Sequence, residues 1–266
     1  MLTPDQVSYI RTRLAEKEDR THFIQLGEFS VIVKTQDPAR HQWWRPLMNT
    51  LSRLLNQPLL LAVPAPGGGE AQAIEVSRLR TLAAAGAPVP DLLHVDKNWF
   101  AESCVGDRTI DQLIRRDAGN QQRYWDDGLA AILALHRLNM AASQCFARNM
   151  IWNDGVVSFI DFEEDPLTVM PLAAAQARDW LLYLHSTAHV MTSRTPAQNA
   201  QILMQYLQQD NVLVQQHFAR AARSFSWLRI LPQKRKPWGR DVISTQASAA
   251  IAYQVLIAMR KCSSTH

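Results

Sequence analysis

Cysteine is scarce in this 266-residue chain. Its three copies, Cys104, Cys145 and Cys262, lie far apart and form no CxxC pair, which excludes a disulfide framework and argues against a zinc site. A reducing compartment fits that usage. No uninterrupted apolar run approaches the ~18–20 residues needed to cross a bilayer. The start, MLTPDQVSYIRTRLAEKEDR, is charged throughout and lacks the apolar core of a signal peptide. Together these absences predict a cytoplasmic protein. Excess charge is small too: 28 basic against 24 acidic side chains leave a net +4. The basic excess gathers at Lys234-Arg235-Lys236 and Arg240, a solvated loop or a contact for a phosphate-rich or membrane-surface partner. With 47% hydrophobic and 20% charged residues, the chain has an ordinary globular composition and the length to bury a sizeable core.

Strand signals come first. Phe29 to Val33 in FSVIVK is rich in β-branched residues, enters through Gly27, and is closed by Asp37-Pro38. HQWWRPLMNTLSRLLNQPLLL then spaces Leu47, Leu51, Leu54 and Leu55 helically, and PAPGGG at 64–69 breaks it. EAQAIEVSRLRTLAAAG predicts a helix with Ile74, Leu79 and Leu82 on one face and a cap at Gly86. VPDLLHV and NWFAESCV predict further strands. From Thr109 onward helix dominates, interrupted by a loop at 139–149 and a hairpin, NMIW and VVSFIDF, turned at Asn153-Asp154-Gly155. No internal repeat is present.

Four groups are spaced along this layout. Lys34 ends a β-branched strand, Glu75 sits on the following helix, and Asn149 and Asp161 flank the hairpin. Each alone reads as a solvated or turn residue. As a set they supply what phosphoryl transfer from ATP requires: a cation for the α- and β-phosphates, a carboxylate to hold that cation, and amide and carboxylate oxygens for magnesium. Asp161 is the hardest to dismiss, since it ends the apolar strand VVSFI, where an unpaired carboxylate is costly.

The order VIVK, helix glutamate, R-N-x-x-W and I-D-F-E resembles the protein-kinase-like superfamily, over about residues 25–190. Within it the chain is similar to the bacterial lipopolysaccharide-core kinases and the RIO/Bud32-like atypical kinases. The resemblance implies an α+β fold of two lobes: a small β-rich lobe over 1–104, with a helical insert at 41–61, and a larger helical lobe over 105–266. It implies ATP and Mg2+ as cofactors, with Lys34, Glu75, Gln144 and Asp161 at the catalytic positions and Asn149 and Asp161 as metal ligands. Gly27 would belong to the phosphate-covering loop, and the backbone of Glu102 and Cys104 would lie near the adenine. Asp179 would brace the catalytic loop.

Two departures bear on activity. The covering loop has a single glycine, Gly27 in IQLGEFS, and so exposes few backbone amides. Five positions before Asn149, where such kinases carry the catalytic aspartate, stands Gln144. Glutamine orients an acceptor but cannot take its proton. An ATP-dependent phosphotransferase and a nucleotide-binding or scaffolding pseudokinase therefore both remain open, as does a different chemistry such as nucleotidyl transfer. Glu163 and Glu164 are candidates for metal or acceptor contacts or a solvated acidic turn, and His136 is a core or bracing residue. The insert, with Trp43, Trp44, Arg45 and Arg53, is either packed on the small lobe or an interfacial helix. Expected partners are ATP, an unknown acceptor (a protein or a lipid-linked sugar) and, through the insert, an anionic membrane surface peripheral to the inner membrane. No nucleic-acid partner is expected.

Overall fold

His22, Ile24 and Leu26 alternate with exposed neighbours, and this strict period of two makes Thr21–Leu26 the first strand, β1. A two-residue turn at Gly27-Glu28, with Gly27 at φ 66, joins it to the antiparallel β2, Phe29–Thr35. β3, Leu92–Val95, and β4, Trp99–Ser103, complete an antiparallel sheet in the order β1-β2-β4-β3. The computed structural model describes residues 1–15, 19–36, 61, 63–64, 66–234 and 236–263. The Asp37-Pro38 turn and the insert at 41–61, apart from Leu61, lie outside the described residues, as does Arg235 of the basic cluster.

The two faces of the sheet are covered differently. On one lies α1, Pro4–Ala15, whose fully buried Ile10 joins Ile24, Val31, Val33, Trp99 and Ala101 in a small apolar cluster. Val7, Ile10 and Leu14 follow helical spacing among the charges of the N-terminal stretch. The other face meets α2, Gly68–Ala84. Val76, Leu79 and Leu82 of α2 enter the main core with Phe100. Ile74 is only half-buried, while Glu75 and Arg78 occupy buried positions, so the inner face of α2 is polar where it meets the sheet. The helix closes as the sequence predicts: Gly86, at φ 81, sends its N–H to Ala83 O, and Ala87 N bonds Leu82 O.

The remainder is mostly helical. α3, Ile110–Arg116, starts in a reciprocal Thr109/Gln112 cap, and α4 spans Gln121–Arg137. Then come the hairpin strands β5, Met150–Asn153, and β6, Val156–Phe159, whose turn residues Asp154 and Gly155 both have positive φ, at 48 and 89. α5, Leu172–Thr187, α6, Pro196–Leu207, α7, Val212–Phe225, and α8, Arg240–Ser263, follow. Trp125, Trp180, Tyr183, Phe159, Phe162 and Phe218 fill the core of this larger part. α8 has the length and apolar content of a bilayer-crossing helix, yet 44% of its most apolar stretch is buried, with Ile251, Ala252, Val255 and Leu256 in the core. The result is an α+β, two-lobed molecule: a small antiparallel sheet with its helices, then a larger helical part.

Close packing of α4 on α5 depends on Gly128. The Tyr183 hydroxyl donates to Trp125 O at 3.0 Å and fills the space a Cβ at 128 would need. Gly128→Ala is expected to destabilise the protein by about 1–3 kcal/mol, as overpacking of a filled core does. Urea unfolding measures it, and an unchanged midpoint would refute this account of the helix pair.

Candidate functional site

Ile32 and Lys34 of β2 and Phe100 and Glu102 of β4 share one face of the sheet, because Ile32 pairs with Glu102 and Lys34 with Phe100. Glu75 of α2 rises to meet them. Lys34 Nζ lies 2.5 Å from Glu75 Oε1 and 3.1 Å from Glu102 Oε1, and both carboxylates are almost fully buried. Burial by itself would lower the pKa of this ammonium; Glu102 and Glu75 outweigh it, with a smaller pull from Asp161, and raise it. One cation thus faces two acids. The imbalance appears on Glu102, whose carboxyl is raised by burial and by Glu75 even though Lys34 opposes the shift.

The other wall comes from the loop before β5 and the end of β6. Asn149 closes a short 3-10 turn, Ala147–Asn149; its Nδ2 donates to Gln144 O at 3.0 Å, and its carbonyl accepts from Ile160 N at 3.0 Å. Asp161 follows with φ 69, a left-handed conformation that aspartate tolerates better than most residues. Lys34, Glu102, Gln144, Asn149, Asp161 and Glu163 line one cavity of about 420 Å³. Asn149 Oδ1 meets no donor among the described residues, and the carboxylate of Asp161 belongs to the lining of the same cavity. That hard-oxygen pair suits magnesium, which takes most of its remaining ligands from water and phosphate.

Backbone order around Gln144 is enforced by side chains. Gln176 Nε2 donates to Met140 O at 3.0 Å, Arg78 Nη2 to Ala141 O, and Arg178 Nη1 to Ser143 O at 3.3 Å. Asp179 Oδ2 accepts from Ala142 N at 2.8 Å. Asp179 is in turn 3.4 Å from His136 Nε2, and His136 Nδ1 lies 2.6 Å from Asp210 Oδ2. Burial would lower the His136 pKa, but hydrogen bonds to Asp179 and Asp210 raise it; burial raises Asp179, and the contacts with His136 oppose that shift.

Sequence-expected residues are not all brought together. Gly27 is held away from the cavity. Lys34 pairs with Thr21, so the cavity lies at the Thr21 end of the hairpin, while Gly27 turns the opposite end, roughly 20 Å along the strand. Cys104 sits just behind the wall, its N–H on Ser30 O at 3.4 Å, while Ser103, Val105 and Gly106 line the cavity. Glu102 enters through its side chain, in addition to the backbone role expected of it. Arg20 joins the site from outside the kinase-like motifs: its guanidinium pairs with Glu163 and approaches Glu75 at 4.0 Å. Its signal was faint, a lone arginine just before an alternating strand. Glu163 is raised by burial and by Asp161, against the pull of Arg20. Glu164 is raised by burial, against Arg178 and a hydrogen bond with Gln144.

No protein-family model matches the chain. A 91-residue stretch, 34% of the chain, is 30% identical to an uncharacterized protein of Haemophilus influenzae and spans 38% of that protein's length. Among solved structures, a mutant of the Neurospora crassa PAN3 pseudokinase is similar over 99% of this chain and 74% of its own, at 9% identity. The TM-score of that likeness is 0.32, too low to carry an argument about function.

The His136 cluster has a measurable consequence. A raised folded-state pKa means that protonated His136 stabilises the fold; this contribution is complete below the ordinary value of 6.5 and is lost as pH climbs through the raised one. The ring-proton NMR titration of His136 should therefore show a midpoint above 6.5, and Asp210→Asn should lower it. An unshifted wild-type midpoint would overturn the assignment of the cluster as a charged brace.

Proposed function

We propose that the chain is an ATP-dependent, magnesium-requiring phosphotransferase, with residues 1–104 and 105–266 as the two lobes that enclose the nucleotide. The observation that carries this reading is Lys34, held from behind by buried Glu75, lining the same cavity as Asn149 and Asp161. Lys34 would contact the α- and β-phosphates, held in place by Glu75. Asn149 and Asp161 would hold Mg2+, which supplies charge neutralisation on the phosphates. Ser103, Val105 and Gly106 offer the wall against which the base would rest.

Gln144 lies where an acceptor hydroxyl would approach. Its amide orients that hydroxyl, and the acceptor oxygen forms a bond to the γ-phosphorus as the bond to the leaving ADP oxygen breaks. The electron pair goes to ADP, and the hydroxyl proton ends on the transferred phosphoryl group. A loose transition state demands little of a base, so positioning and charge carry most of the catalysis. Gln144 also favours a second reading, a nucleotide-binding pseudokinase. The acceptor, a protein or a lipid-linked sugar, is common ground for the active reading.

The Lys34–Glu102 contact sets a condition on binding, because phosphates must compete with Glu102 for the ammonium. MgATP should raise the thermal midpoint of the wild type. Lys34→Ala and Asp161→Ala are expected to weaken MgATP binding at least tenfold, about 1.4 kcal/mol, and Glu102→Gln to tighten it. Full wild-type shifts in both alanine variants would reject the site. For catalysis, ATP turnover should be slow in the wild type, lost in Asp161→Asn and altered in Gln144→Asp. Intact MgATP binding with identical turnover in all three proteins would select the pseudokinase.

A further inference from the structure

Arg148 lines two cavities. One is the site already described; the other, about 330 Å³, lies beside it and is walled by the start of α3, the loop before β5, the end of α5 and the start of α8. Asp111, His185, Ser186, His189, Arg240 and Ser244 complete most of the second wall. Asp241 also lines it.

The charges of this second cavity are not self-satisfied. Asp111 is occupied: both of its oxygens accept from Arg115 Nε, at 3.0 and 2.9 Å. Ser186 Oγ is likewise committed, accepting from Ala147 N at 3.0 Å and donating to Tyr183 O at 2.9 Å. Arg148 and Arg240, by contrast, form no ion pair among the described residues. The Arg148 guanidinium lies 4.3 Å from the centre of the Phe146 ring, which fixes its plane and leaves its N–H edge for a ligand. Three guanidinia are near: Arg148 and Arg240 line the cavity with the carboxylates of Asp111 and Asp241, and Arg115, outside the lining, holds Asp111. Their field is felt by His189, whose pKa is lowered to about 4 by burial and then by Arg115 and Arg240. The ring is therefore neutral near pH 7. Its Nδ1 lies 3.0 Å from Ser244 Oγ and its Nε2 3.3 Å from Arg115 Nη2.

We infer that this second cavity binds a phosphate group, seated between Arg148 and Arg240, and that it is the pocket for a phosphorylated acceptor. A tetrahedral oxyanion presents several acceptor oxygens in different directions and so can engage guanidinia from two separate elements, while a planar carboxylate is matched by one. The volume leaves room for more than the anion itself. Assignment as an acceptor pocket rests on the phosphotransferase reading, because Arg148 places the bound group next to Gln144 and Asn149. Binding of the anion does not.

Isothermal titration of the full chain with inorganic phosphate and with glycerol 3-phosphate, at low salt, tests the pocket. Arg240→Gln and Arg148→Gln should each weaken binding at least tenfold, whereas Lys34→Ala should leave it unchanged. Arg240 is exposed and forms no ion pair among the described residues, and Arg240→Gln should keep wild-type MgATP binding. Tighter binding of glycerol 3-phosphate than of inorganic phosphate supports a phosphorylated acceptor; equal binding supports a phosphate-ion site and removes the acceptor assignment. Phosphate binding that depends on Arg240 in a protein that does not bind MgATP would sink the phosphotransferase reading and leave the anion site standing. Saturable binding by neither compound, or binding unchanged in both arginine variants, overturns the inference.

Discussion

The segment from Met140 to Gln144 passes through the interior without belonging to a helix or a strand, and its peptide groups still have to be hydrogen-bonded. An unmet backbone donor or acceptor in such a place costs as much as a lost hydrogen bond. Each of the five residues is met by a side chain: Gln176, Arg78, Asp179, Arg178 and Asn149, in that order along the segment. Three of these partners lie on α5, one on α2 and one at the start of the hairpin. The same bonds that satisfy the loop therefore tie the small lobe to the large one and set where Gln144 and Asn149 face the cavity. Buried polar networks of this kind hold one conformation because every alternative leaves a member unsatisfied.

The cost of those partners is buried charge. Asp179 is balanced by His136, which leans in turn on Asp210, and Trp180 Nε1 donates to Asp210 Oδ2 at 2.8 Å. Above the cavity the same logic recurs with opposite sign. Lys34 is surrounded by Glu75 and Glu102, Arg20 bridges toward Glu163, and Asp161 adds another acid. Arg20, Lys34 and Arg148 thus line this cavity together with Glu102, Asp161 and Glu163, cations and carboxylates in equal number. The neighbouring cavity shares Arg148 and adds Arg240, Asp111 and Asp241.

Much of the fold was readable along the chain because it depends on local chemistry. The β-branched run of β2, the Gly86 cap of α2 and the Asp154-Gly155 turn are decided within a few residues, and the structure has all three. Lys34, Asn149 and Asp161 line one cavity and Glu75 meets Lys34 behind it, an arrangement to which strand, helix and hairpin each bring one piece. α1 and β1 carry weaker signals: their inward positions, Val7, Ile10 and Leu14, then His22, Ile24 and Leu26, are sparse among charges and polar groups, and only packing against the sheet reveals which face they bury.

What the sequence determined by itself, then, is the set of elements and the groups they carry. Tertiary structure decided which of those groups meet. Gly27 lies close to Lys34 in sequence and far from the cavity in space, because strand register sends the two ends of a hairpin apart. Glu102 became a partner of Lys34 because two strands distant in sequence are hydrogen-bonded side by side, with Ile32 opposite it. Arg20 found Glu163, and Arg148 came to stand between two cavities, through contacts spanning more than a hundred residues or several elements. Periodicity and turn chemistry act over a few residues, whereas the pairing of buried charges depends on distances in space, and those are fixed only when the whole core has closed.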